Sequence, residues 1–183
     1  MTASALVDVL LRDGLAASRR DDSTQALELF EQAMRADPTH ALPHYLSGVE
    51  LAQLGRNDAA EAALARAVLL GPQLAIARFQ LGLLQFTTGR VAVALLTWAP
   101  LFERAAPEGL RRFAAGFAAL ARNDAATARA EFEAGLVANT DNEPLNADIR
   151  GVLAGLSDAV GEPATDDDQH VLLAAYQNQG RLQ

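Results

Sequence analysis

Apolar positions along this chain recur at the three- and four-residue steps of helix faces, in runs separated by short polar breaks. The stretch Ala41–Leu74 shows the plan. Two helix-length patterns are split by Leu54-Gly55-Arg56-Asn57-Asp58 and closed by Gly71-Pro72. Displaced by 34 residues in either direction, the same plan reappears. Gly14, Gly48, Gly82 and Gly116 share one phase, Ala26, Ala60, Ala94 and Ala128 a second, and Phe30, Leu64, Trp98 and Phe132 a third. Chance does not align three independent phases four times over, so the chain is a helical repeat array. A glycine inside a helix costs about 1 kcal/mol relative to alanine, and close approach of paired helices is the reason four of them stand in phase. The bulky phase follows the alanine phase by four residues on the same face. One helix pair cannot bury such a stripe alone; stacked neighbours can.

In chain order, the pattern predicts a first helix over about 4–18 and a charged turn at Arg19-Arg20-Asp21-Asp22. A capping box at Asp22-Ser-Thr-Gln25 then opens a helix that runs to about Ala36 and stops at Asp37-Pro38. Thr39 is the candidate N-cap of the next helix, with Pro43 tolerated in its first turn. Its partner is expected to begin at the box Asp58-Ala-Ala-Glu61. Further turns fall at Thr88-Gly89-Arg90 and Arg122-Asn123-Asp124, and Pro100 should end or kink its helix about a turn early. Beyond the repeats, Leu145, Ile149, Val152, Leu153, Leu156 and Val160 form an amphipathic stripe. A terminal repeat leaves an open apolar edge, so residues 146–159 are read as a capping helix. Residues 161–183 hold an acidic linker and a short amphipathic segment, His170–Gln179, which could dock as a mask over apolar surface.

The period and residues resemble the tetratricopeptide repeat, a helix–turn–helix unit of 34 residues. The repeats run roughly over 7–40, 41–74, 75–108 and 109–142, within a domain of residues 1–160. The family's later alanine is matched at Ala33 and Ala67, with Leu101 and Gly135 departing. Its closing proline is matched at Pro38 and Pro72, slips to Pro107, and becomes Thr140. The large residue expected near each repeat start is Leu10, then His44, Arg78 and Arg112. The resemblance implies an all-α fold, a right-handed superhelical array of antiparallel helix pairs.

Composition narrows the chemistry. A net charge of −8 argues against a nucleic-acid surface. All 15 basic residues are arginine, and the absence of cysteine excludes disulfides and thiolate sites. The opening segment, interrupted by Asp8, Arg12 and Asp13, reads as a helix and a poor secretory signal, and the apolar run Val91–Phe102 is too short to span a bilayer. A soluble cytoplasmic protein is expected. His40 and His44 stand four apart, but Pro43 intervenes and no carboxylate completes a metal site. Asp166-Asp167-Asp168 lacks the alternation of a calcium loop, and phosphate loops and nucleophile elbows are absent. No catalytic residue, metal or cofactor is assigned, and an enzyme is not expected.

In tetratricopeptide arrays the first helices line a concave peptide-binding groove. The resemblance carries that role onto Leu11, Tyr45, Phe79 and Phe113, and one turn on to Leu15, Val49, Leu83 and Phe117. Family members that grip C-terminal carboxylates use Lys, Arg and Asn at comparable sites; here the sites are apolar. The alternative is that this row is core. In the groove reading, His44, Arg78 and Arg112 point sideways or outward. The implied function is a protein–protein interaction module, an adaptor or chaperone holding a partner's hydrophobic peptide or helix. The competing reading is a self-associating scaffold, a homodimer formed through the groove or an array end. A third, an enzyme's accessory subunit, finds no signal in the residues.

Overall fold

The computed structural model describes residues 3–103 and 106–159. The linker and amphipathic segment expected after residue 160, with their masking role, lie outside these. Among the described residues the chain is all helix: α1 (Ala3–Ser18), α2 (Ser23–Ala36), α3 (Ala41–Gln53), α4 (Asn57–Leu70), α5 (Ala75–Thr87), α6 (Val91–Trp98), a 3₁₀ turn (Ala99–Phe102), α7 (Glu108–Leu120), α8 (Ala125–Ala138) and α9 (Glu143–Ala159). This is the all-α helical-repeat class of the solenoids. The chain divides into two compact units, Met1–Leu84 and Gln85 onward.

In the first unit, α1 packs on α2 and α3 on α4, with α2 bridging to α3. Val7, Leu10, Leu11, Phe30 and Ala33 make one buried cluster, and Leu51, Ala60, Leu64, Leu81 and Leu84 another. Gly14 and Gly48 do what close approach demands. A Cβ on Gly14 would lie 2.5 Å from the Phe30 ring, and one on Gly48 would lie 2.7 Å from Leu64 Cγ. Glu50, buried on α3, accepts a hydrogen bond of 2.7 Å from the Ser18 hydroxyl at the end of α1. No sequence pattern singles out that link.

In the second unit, α7 packs on α8 and α8 on α9. Phe132 occupies the space over Gly116, where a Cβ would lie 2.5 Å from the ring. Pro100 has the expected effect: α6 stops after 8 residues and tightens into the 3₁₀ turn, whereas α2, α4 and α8 each run for 14. Helix α9, at the place expected of a capping helix, begins at Glu143, earlier than its apolar stripe suggests, because Asn142 Oδ1 accepts from Leu145 N. Its seat is polar as well as apolar. Asn146 Nδ2 donates to the Asn139 carbonyl at 2.8 Å, Asn139 Nδ2 donates to Asn146 Oδ1 at 2.7 Å, and Leu145, Ile149 and Leu156 are buried.

The turns carry a further phase that the hydrophobic pattern does not show. Asp21, Gly55, Gly89 and Asn123, 34 apart, all have positive φ. Each is followed by a residue whose N–H returns to a carbonyl five residues back: Asp22 to Ala17, Arg56 to Leu51, Arg90 to Gln85 and Asp124 to Ala119. This is the Schellman closure of a helix, and Asp and Asn are the residues besides glycine that tolerate it. Two starts differ from the sequence expectation. Thr39 bonds to Asp37, and His40 caps α3 through Nδ1 on Leu42 N. Asp58 lies inside the first turn of α4, whose N-cap, Arg56, makes no side-chain cap bond.

Candidate functional site

The row expected to line the groove splits in depth. Leu11 sits in the α1–α2 cluster, and Phe79 and Leu83 on α5 are buried. Phe113 is fully buried on α7, for a reason visible across the pair: a Cβ on Gly135 of α8 would lie 2.5 Å from its ring. Phe117 is the hub of an aromatic cluster, with ring centroids 5.3 Å from Phe86, 5.6 Å from Trp98 and 5.0 Å from Phe132. These five residues are buried. Three others reach solvent. Leu15 is exposed on α1, and Tyr45 and Val49 are half-buried one turn apart on α3, packed against the Leu51–Leu64 cluster. All three belong to the first unit.

Tyr45 is the chemically distinctive member. Burial alone pushes its phenol up to about 12, so it stays a neutral donor at any physiological pH. Its ring rests on apolar neighbours, while its hydroxyl makes no hydrogen bond among the described residues. A tyrosine in that state has an apolar body already desolvated and a polar tip open to a ligand.

The polar residues at the repeat starts do not simply face outward. His44 keeps its Nε2 sealed from solvent without a partner. Burial first, and the Arg66 charge second, hold its pKa below the usual histidine value, against a hydrogen bond with the Pro38 carbonyl. Arg112 lies across the α7–α8 pair, its guanidinium donating to Glu131 at 3.1 Å and pairing with Glu108 at 3.4 Å. Those carboxylates, Glu131 foremost, raise its pKa. The sequence shows polarity at these positions; the structure pairs the terminal nitrogens of Arg112 within the repeat but leaves its Nε, like His44 Nε2, buried without a partner. Arg78 is half-buried. Among the described residues no three His, Cys, Asp or Glu side chains gather to hold a metal, and no helix is long and apolar enough to cross a membrane.

The sequence profile of the tetratricopeptide-repeat family matches residues 19–91. No curated protein matches the chain. Solved structures do. MamA is 25% identical with a TM-score of 0.54, covering 71% of this chain and 76% of its own. PilF of Pseudomonas aeruginosa is 18% identical with a TM-score of 0.67 over 98% of this chain and 92% of its own. PilW, a type IV pilus biogenesis factor, is 18% identical with a TM-score of 0.67 over 97% and 79%. The last two likenesses speak for the fold, and they extend it well past the stretch that the family profile covers.

Proposed function

Since this chain is a tetratricopeptide-repeat protein, we propose that it works as a non-catalytic adaptor or chaperone, taking an apolar side chain of a partner's extended or helical segment at Leu15, Tyr45 and Val49. The fold supports the coarser statement, a protein–protein interaction module. The finer one rests on Tyr45, whose half-buried ring and unbonded hydroxyl are preorganised for an amphipathic contact. Leu11, Phe79, Leu83, Phe113 and Phe117 enter this reading as rigid support and not as contact surface. A cytoplasmic setting belongs to the same proposal and rests on composition.

A photo-crosslinking amino acid placed at position 45, compared with one at the exposed Val137 on α8, tests it in the native cell. The expected result is a discrete partner crosslinked from position 45 only, and lost when Val49→Glu is added to a protein of unchanged helicity. Equal labelling from both positions, or labelling indifferent to Val49→Glu, overturns the assignment.

A further inference from the structure

The outward face of α6 differs from that of every sister helix. Ala92, Val93, Leu96, Ala99 and Pro100 are all exposed and fall at helical steps on one side, with Phe102 exposed just beyond. No charged residue occurs from Val91 to Phe102. Shifting by the repeat length supplies internal controls. Leu96, 76% exposed, corresponds to Glu28 on α2, Ala62 on α4 and Ala130 on α8, all likewise exposed. Val93 corresponds to Gln25, Ala59 and Thr127, and Pro100 to Gln32, Arg66 and Ala134. The repeat architecture therefore has no need of a large apolar residue there; its three other copies place polar or small ones. Sister helices expose single aliphatics, Leu69 on α4 and Val137 on α8, whereas α6 exposes a continuous row, and such a row marks an interaction surface.

We propose that this face pairs with the same face of a second copy, the two α6 helices antiparallel about a two-fold axis near Leu96 and Thr97. Three observations select that occupant. Leu96 is flanked on its face by the small Ala92 and Ala99, so each leucine finds a shallow hole on the opposite helix. The charges bounding the stripe are opposite in sign and exposed: Arg90 before it and Glu103 after it. They stand at nearly equal distances from the proposed axis, roughly 10 Å by helical rise on one side and roughly 12 Å by helical and 3₁₀ rise on the other. Antiparallel pairing therefore brings Arg90 of each copy to Glu103 of the other, twice, as an isologous contact requires. A chain of net charge −8 meets itself here over its uncharged surface, and the same net charge disfavours an anionic lipid surface as the occupant.

The stripe is narrower than the ~1,200–2,000 Å² interfaces of stable complexes, so the dimer is weak, with a dissociation constant on the order of tens of micromolar. Sedimentation of the full chain from about 1 µM to about 1 mM spans that range. The expected result is a concentration-dependent shift to dimer. Leu96→Glu should weaken it at least tenfold at unchanged helicity and thermal midpoint, since that side chain is mostly in solvent. Arg90→Glu alone should also weaken it, and adding Glu103→Arg should restore it, which only the antiparallel arrangement predicts. A monomer throughout, a dimer indifferent to Leu96→Glu, or a charge swap without rescue overturns the proposal. So does a monomer that floats with zwitterionic or anionic vesicles and loses that property on Leu96→Glu, which would make the occupant a lipid.

Discussion

The pairs α3–α4 and α7–α8 occupy the same register, yet they handle their first-helix aromatic in opposite ways. In α3–α4, Leu64 fills the space over Gly48, Ala67 is fully buried, and Tyr45 remains half at the surface. In α7–α8, Phe132 fills the space over Gly116, Gly135 stands where Ala67 stands, and Phe113 is fully buried. A Cβ at position 135 would lie 2.5 Å from two atoms of the Phe113 ring and 3.1 Å from Arg112 Cβ. The Cβ that Gly135 lacks thus leaves the space that the Phe113 ring fills, although Phe79 is fully buried with Leu101 at the corresponding register position. In α1–α2, which keeps an alanine at Ala33, the buried counterpart is the smaller aliphatic Leu11. The surface chemistry of a repeat is set partly from the helix behind it.

The largest test of that comparison is Phe113→Ala, which should cost about 3–5 kcal/mol in urea unfolding, against a clearly smaller loss for Tyr45→Ala. Equal losses would break the distinction. Gly135→Ala should cost about 1–3 kcal/mol through overpacking, recovered in part by Phe113→Leu; an unchanged urea midpoint would mean the ring has somewhere else to go. The reciprocal Ala67→Gly should lose about 1 kcal/mol of helix propensity and let Tyr45 sink. Slower nitration of Tyr45, followed by mass spectrometry, would register the movement.

Smaller effects separate the same two pairs at their caps and repeat starts. Asp124 Oδ1 accepts from Thr127 N at 3.0 Å, and the Thr127 hydrogen bonds hold its carboxyl below the ordinary 3.8. A depressed carboxylate contributes stability above its unfolded value and loses it as pH falls through the folded one. Asp124→Ala should therefore lower the thermal midpoint at neutral pH and leave it unchanged in strong acid, whereas Arg56→Ala, at a position without a side-chain cap bond, should leave it unchanged at both. The smallest effect concerns position 44. His44 titrates below 6.5 when folded, chiefly through burial, so the unfolded chain binds its proton first. Its contribution is constant above 6.5 and turns against the fold as pH falls below that value. His44→Phe should flatten the midpoint between about pH 7 and pH 5. Arg112, its register counterpart, stays charged throughout and gives no such slope.

Much of this molecule is legible along the chain. The 34-residue phases of glycine, alanine and bulky residues settle the helix pairs and their seams, Pro100 the shortening of α6, and Asp22 the start of α2. Those are local or periodic signals, and backbone geometry alone turns them into structure. Depth is another matter. The row Leu11, Tyr45, Phe79, Phe113 has one period and one apolar character, but only the packed structure separates Tyr45 from the others. Likewise Asp21 and Asn123 take the left-handed φ that glycine holds in the other two turns, and His40 caps α3 while Thr39 bonds back to Asp37. Periodicity states which way a residue faces. How far it is buried depends on the volume and hydrogen bonds of residues on another helix, and those are fixed only when the helices meet.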